Sequence, residues 1–186
     1  MNCDLLRGER VRLTARNAAT DAPLLAQWSY DSEYLRLSDA GPARLYSLAQ
    51  IQEYLEKESA AENPHAFFFA IRTLAEDRVI GDIELDGIRW THGDAFVGIS
   101  IGERALWSQG YGSDALRVIL RFAFDELNLH RVSLNTFEYN PRAIRAYLKC
   151  GFQIEGRQRR ALNRNGKRWD VIYMGILRAE WANSAR

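Results

Sequence analysis

The chain predicts an α/β (α+β) fold: one mixed, mostly antiparallel twisted sheet of about seven strands flanked by four helices. Three observations carry this expectation. Runs with a two-residue alternation or rich in β-branched and aromatic residues recur along the chain. Four segments show helical apolar spacing with start or stop signals. The two kinds interleave as β-α-α-β-β-β-α-β-α-β-β, with no internal repeat or low-complexity linker. A chain of 186 residues ordered in this way is expected to be a single domain spanning 1–186.

Residues 9–15 place Val11, Leu13 and Ala15 on one side and Arg10, Arg12 and Thr14 on the other, which predicts a half-buried strand. Thr20-Asp21-Ala22-Pro23 predicts a helix start, with Leu24, Leu25 and Trp28 on the buried side. Residues 38–45 hold Gly41-Pro42 and predict a loop. Ser47-Leu-Ala-Gln50 has the capping-box pattern, and Ile51, Tyr54 and Leu55 give the next helix its apolar face until Asn63-Pro64 closes it. Residues 66–73, 79–90 and 95–101 predict three strands joined by turn-prone Glu76-Asp77 and His92-Gly93-Asp94. Gly81 and Gly87 within the middle strand mark a bulge or a close backbone approach. Ala115, Leu116, Ile119, Leu120, Ala123, Phe124 and Leu127 predict a helix ending near Asn128. A strand over 131–137 follows, then a short helix capped by Asn140 with Pro141 at its first position. Gly151 sits where a left-handed cap is wanted, and residues 152–161 and 168–177 form a last hairpin around Asn163-Arg-Asn-Gly166.

Composition bounds the function. Hydrophobic residues make up 47% and charged residues 26%, and the formal net charge of +1 argues for neither nucleic acid nor membrane as a partner. Charges within the first ten residues argue against a secretory signal, and the apolar run at 67–71 is far short of the roughly 20 residues of a membrane span. A cytoplasmic protein is the expectation. Cys3 and Cys150 are too separate for metal spacing, and His65, His92 and His130 are scattered, so no metal is expected. Residues 31–62 carry seven acids against three bases, and residues 156–168 carry six bases and no acid. Either stretch is a solvated face, or the first attracts a cationic substrate and the second meets an anion. Trp169 and Trp181 either serve a homodimer interface or pack the last hairpin.

Two segments carry chemistry. Trp107-Ser-Gln-Gly-Tyr-Gly-Ser113 follows an apolar strand and opens a long helix, so unpaired amides and the positive helix end converge there. Side chains at Gly110 and Gly112 would keep a phosphate from those amides. A dinucleotide fingerprint would need a third glycine, and a Walker loop would need Gly-Lys-Ser/Thr. Neither is present. Twenty-eight residues after Gly112, Asn140-Pro-Arg-Ala-Ile-Arg-Ala-Tyr147 puts an amide and a phenol on one short helix before Cys150-Gly151-Phe152.

These residues resemble the GCN5-related N-acetyltransferases, whose signature is Arg/Gln-x-x-Gly-x-Gly/Ala. Here it is Trp107-x-x-Gly110-x-Gly112, with Ala115 at the small-residue packing position. The leading tryptophan and the Asn140…Tyr147…Gly151-Phe152 run are most similar to the branch of ribosomal-protein N-terminal (alanine) acetyltransferases. The resemblance implies transfer of an acetyl group from acetyl-CoA to a primary amine by direct attack. A protein or peptide N-terminus is expected first, and a polyamine or other small amine is the alternative. A non-catalytic acyl-CoA-binding module is the competing class.

Residue by residue, the resemblance implies that backbone at Ile99 and Ile101 pairs with the pantetheine arm. Amides of Gln109, Gly110, Tyr111, Gly112 and Ser113 would hold the pyrophosphate below Trp107. Asn140, with Ala143 beside it, would meet the pantetheine, and Tyr147 would lie at the thioester sulfur and protonate the leaving thiolate. Arg104 or Arg142 would replace the missing arginine. Glu84, flanked by Asp82 and Asp86 on one strand face, is the candidate base; the alternative is a solvent-facing edge. Relatives carry a glutamate where this chain has Phe96. Cys150 is expected to be core.

Overall fold

The computed structural model describes residues 4–60 and 63–184. Its strands are β1 (Val11–Thr14), β2 (Phe67–Thr73), β3 (Val79–Arg89), β4 (Asp94–Ile101), β5 (Arg131–Phe137), β6 (Gln153–Arg164) and β7 (Lys167–Leu177). Its helices are α1 (Ala18–Ser29), α2 (Ser32–Ser38), α3 (Leu48–Ala60), α4 (Tyr111–Arg121), α5 (Pro141–Lys149) and α6 (Arg178–Ser184). The seven strands form one sheet in the order β1-β2-β3-β4-β5-β7-β6. Every neighbouring pair is antiparallel except β4 and β5.

The predicted strands stand within a few residues, and two helices exceed the expectation. The first is α2, in a segment whose short run of apolar positions gave little helical signal. Asp31 starts it by accepting from the Glu33 and Tyr34 amides at 3.0 and 3.1 Å. The second is α6, whose Trp181 packs beside Phe124 at a centroid distance of 6.2 Å. Trp169, half-buried, meets the Tyr139 ring edge-on at 5.7 Å.

α1 begins two residues before its expected hydroxyl cap. Asn17 Oδ1 accepts from the Ala19 and Thr20 amides, and Asp21 returns a carboxylate to the Asn17 amide at 2.8 Å, so Pro23 falls inside the helix. Its buried side is Ala22, Ala26 and Trp28, with Leu24 and Leu25 only half-buried. At α3 the capping box forms in both directions: Gln50 N donates to Ser47 Oγ at 3.3 Å, and Ser47 N to Gln50 Oε1 at 2.9 Å. Leu55 is buried there, whereas Tyr54 is exposed. After Arg121 the α4 ladder widens into a π turn over Phe122–Glu126, so the helical spacing continues but the regular helix does not. At the last hairpin, the strands reach Arg164 and Lys167. Asn165 and Gly166 alone turn the chain, both at positive φ.

Both strand glycines have a reason. Gly87 lies at φ +61 where the β3–β4 register slips, and a Cβ on Gly81 would overlap the Ser100 carbonyl. The core lies between one sheet face and α4, with Ile83, Leu85, Leu116, Ile119, Leu134 and Phe152 among its buried members. Cys150 is buried in it, and its Sγ sits 3.5 Å from the Ser113 carbonyl. Cys3 lies outside the described residues.

Two features position the site. The β4–β5 pairing runs only from Asp94↔Arg131 to Phe96↔Ser133, while β4 continues to Ile101 against β3 and β5 continues to Phe137 against β7. The sheet therefore parts in its middle, leaving one edge of Val97–Ile101 without a strand partner. The second feature is Asp114, buried in the first turn of α4. Its carboxylate accepts from the Glu9, Arg10 and Val11 amides at 3.2, 2.8 and 3.0 Å. This ties the start of α4 to the turn entering β1. Replacing Asp114 with Ala leaves those amides unsatisfied, and we expect equilibrium unfolding in urea to show a loss of about 3 kcal/mol. A loss below about 1 kcal/mol would mean the anchor is dispensable.

Candidate active site

Between Trp107 and Asp114 the backbone withholds its donors. Trp107 N bonds Arg104 O at 3.0 Å and Asp114 N bonds Gly110 O at 2.9 Å. Among the described residues, no amide from Ser108 to Ser113 finds an acceptor. Ser108 and Gly110 are left-handed, at φ +63 and +91. That alternation curls successive N–H groups into an anion-binding nest at the start of α4. A left-handed serine is a strained choice, and such strain concentrates at functional sites. Gly110 is required by its backbone. Gly112 is not required by packing, because a Cβ there would meet only Ile101 and Ile99 side-chain carbons at 3.7 and 3.9 Å. The space beside it suits a phosphate.

The nest opens into a cleft of about 380 Å³ where the sheet parts, lined by β4, α4, α5 and one end of α2. Gly102 N bonds Ile80 O at 2.9 Å, so strand alternation turns Ser100 and Gly102 toward β3, and Ile99 and Ile101 toward the cleft. Trp107 Nε1 already donates to the Ile101 carbonyl at 2.6 Å. What remains for an extended ligand is the Ile101 amide and both groups of Ile99. Asn140 is 7% exposed; its Oδ1 accepts from the Ala143 amide at 3.2 Å, and its NH₂ has no acceptor among the described residues. Tyr147 is 8% exposed, edge-on to Phe152 at 5.9 Å, and its hydroxyl likewise has no partner. Burial, with the Cys150 thiol nearby, pushes that phenol up to about 12. It stays protonated at neutral pH.

The opposite sheet face holds the acids. Asp82, Glu84 and Asp86 stand across from Ser100, Gly98 and Phe96 of β4. β3 is an interior strand whose face is met by Arg16 and, through it, Glu58 of α3, so Asp82 and Glu84 are partly buried and do not form a solvent-facing edge. Arg16, 7% exposed, reaches Glu58 at 2.8 Å, Asp82 at 3.2 Å and Glu84 at 3.9 Å, and lies over the Phe68 ring. Burial first, then Asp82, raises the Glu84 carboxyl from its ordinary value, against the opposing pull of Arg16. A polar chain links this face to the cleft: Tyr34 OH bonds Ser100 Oγ at 2.8 Å, and Ser100 Oγ donates to Asp82.

Likeness to known proteins is decisive at the family level. The model of the acetyltransferase (GNAT) domain matches residues 10–153. The chain belongs to the GNAT acetyltransferases. It is 28% identical over 172 residues to an uncharacterized N-acetyltransferase, p20, of Bacillus licheniformis, covering 92% of this chain and 96% of that one. It is 32% identical over 109 residues to a spermidine N(1)-acetyltransferase of Vibrio cholerae, covering 59% of this chain and 62% of the relative. In structure, the spermidine N-acetyltransferase of Vibrio cholerae in complex with CoA and spermine superposes with a TM-score of 0.81 at 24% identity, over 93% of this chain and 98% of that one. As a GNAT enzyme the protein is an N-acetyltransferase that uses acetyl-CoA.

For the GNAT site, the fold brings Ile99, Ile101, Trp107, Gly110, Gly112, Ser113, Asn140, Ala143 and Tyr147 onto one cleft. Gln109 and Tyr111 do not line it. The Gln109 amide group turns back to the Ala105 carbonyl, and the Tyr111 ring packs against the core, 6.0 Å from the Arg10 guanidinium. Glu84 lies on the other face, apart from Tyr147. Arg104, expected near the phosphates, is held by Asp31 and by Glu33, the latter at 2.6 Å. That pairing holds Asp31 down to about 2 and engages both acids within the chain. Ser108, Arg145 and Lys149 also line the cleft, which the sequence did not lead us to expect. The last two share the cleft-facing side of α5 with Arg142, at a three- and four-residue spacing that a charge count on the helix would have exposed. None of the described residues forms a helix long and apolar enough to cross a membrane.

Gly112→Val leaves the fold intact if the cradle reading is right, because the new side chain points into the cleft. Thermal melts should show an unchanged apo midpoint and loss of the stabilisation that acetyl-CoA gives the wild type. Retained stabilisation would remove Gly112 from the site.

Proposed function

We propose that the acceptor is a small polycationic amine of the polyamine type, acetylated by direct attack on acetyl-CoA. The observation that carries this reading is the acidic sheet face. Asp82, Glu84 and Glu58 cluster there around Arg16, with Asp86 further along the same strand face, and the cluster is joined to the cleft through Ser100 and Tyr34. Such a face retains excess negative charge that a polyamine's remaining ammonium groups would balance. The likeness to spermidine acetyltransferases supports the same class. A peptide N-terminus, the acceptor expected first, carries at most one ammonium at its reacting end and leaves the cluster unanswered. Asp31 and Glu33, at the start of α2, are already paired with Arg104 and so are less available to a cation.

Two side chains then divide the proton chemistry. The acceptor nitrogen must be neutral to attack the thioester carbon, and Glu84, with its raised proton affinity, takes the proton the nitrogen sheds. As the C–S bond breaks, the thiolate takes its proton from the Tyr147 hydroxyl. Transfer is direct, so no enzyme nucleophile is needed. The Cys150 thiol, pushed up by burial, stays protonated and outside the reaction.

Turnover of acetyl-CoA should be measured with spermidine, N-terminal peptides and an aminoglycoside. We expect kcat/KM for spermidine to exceed that for any peptide by at least tenfold; the reverse order would overturn the acceptor assignment. Tyr147→Phe should lower kcat about 10²–10⁴-fold with CoA affinity retained, whereas an unchanged rate would dismiss it as the acid. For Glu84, the raised affinity shifts the acid limb in kcat/KM upward from where an ordinary glutamate would place it, with activity rising as pH rises through it. The folded state binds that proton more tightly than the unfolded chain, so ionising Glu84 costs stability. Glu84→Gln should therefore melt higher than wild type at pH 7 and lose the acid limb. A limb that persists in the variant belongs to another group.

A further inference from the structure

The family's leading arginine is absent, and the structure shows which cation stands in its place. Trp107 is pinned by its indole N–H on the Ile101 carbonyl. Over its ring lies the Arg142 guanidinium, 3.6 Å from the centroid. Arg104 also approaches that ring, at 5.4 Å, but its donors are spent on Asp31 and Glu33. Arg142 lines the cleft, and among the described residues it forms no ion pair. A stacked guanidinium keeps its in-plane N–H donors free for bidentate contact with phosphate oxygens. The indole edge lies at the first residue of the loop whose next amides, Ser108 to Ser113, lack acceptors.

We propose that Arg142, held on the Trp107 ring, is the cationic contact to the diphosphate of acetyl-CoA in this chain. Tryptophan at the head of the loop does not leave a charge missing; it is the platform that positions a cation supplied by α5. Arg145 and Lys149, one and two turns further along α5, serve other parts of the ligand. The partial burial that disfavours the Arg142 charge is relieved when an anion arrives. This inference rests on acetyl-CoA as the donor and concerns only which side chain meets its diphosphate.

Calorimetric titration with CoA and with dephospho-CoA, which keeps the diphosphate but lacks the 3′-phosphate, separates the outcomes. We expect Arg142→Ala to weaken both ligands by a similar factor, about 10- to 100-fold, and to flatten the dependence of affinity on salt. Trp107→Ala should reproduce much of that loss, and the double variant should add little to either single one. Trp107→Phe, which keeps a ring, should fall between. Arg142 is only partly buried, so its variants should fold, and circular dichroism checks this. A loss confined to CoA would assign Arg142 to the 3′-phosphate and overturn the proposal, as would unchanged affinity for both ligands. Failure of the wild type to bind either ligand would instead strike at acetyl-CoA as the donor.

Discussion

A sheet edge left open inside the sheet is the constraint on which the rest depends. Strand edges ordinarily lie at the rim, where water meets their amides and carbonyls. Here β4 and β5 pair for three residues and then part, so Ile99 and Ile101 present backbone groups to an internal cleft. Backbone polar groups in such a place need partners. Trp107 supplies one by donating to the Ile101 carbonyl, and the rest remain for a ligand with amides of its own. A pantetheine arm has them at a spacing that strand pairing can use. The core does not depend on closing this split, because α4 and the buried faces of β3 and β5 pack on the same side.

The loop, the acidic face and α2 work as one unit through a few polar contacts. Tyr34 of α2 bonds Ser100, which bonds Asp82, while Asp31 at the start of the same helix holds Arg104 beside Trp107. At its far end α2 is held from two sides: Arg164 of the last hairpin donates to the Ala40 and Gly41 carbonyls just beyond the helix, both at 2.6 Å, and Tyr139 OH, in the loop between β5 and α5, donates to Arg36 O at 2.9 Å. The basic stretch over 156–168 thus has a use within the chain, since its Arg164 fastens the wall of the cleft. Asp114, anchoring the start of α4 to β1, steadies the loop from the other side. A cleft bounded by a short helix would otherwise be loosely defined, and catalytic geometry tolerates little looseness.

Much of this was legible in the chain. Strand alternation, the Ser47–Gln50 box and the Asn140-Pro141 start are local, and local signals survive into the fold. The loop from Trp107 and the helix from Asn140 could be paired because each has its own backbone requirement. What escaped was set by contacts distant in sequence. Asp31 and Glu33 read as part of an acidic stretch, and nothing near them in the sequence shows that Arg104, some seventy residues on, pairs with both. Asp82 and Glu84 were ambiguous because strand period fixes a shared face but not whether helices cover it. The start of α1 was misplaced because Asn17 and Asp21 cap it reciprocally, which outweighs a proline's preference for the first turn.

Backbone amide hydrogen exchange with and without CoA tests the central claim, a ligand strand completing the split sheet, most directly. The account predicts slowed exchange at the Ile99 and Ile101 amides and through Ser108–Ser113, with β1, β2 and the β6–β7 hairpin unchanged. Unaltered exchange at Ile101 and across the loop, with CoA demonstrably bound, would contradict it.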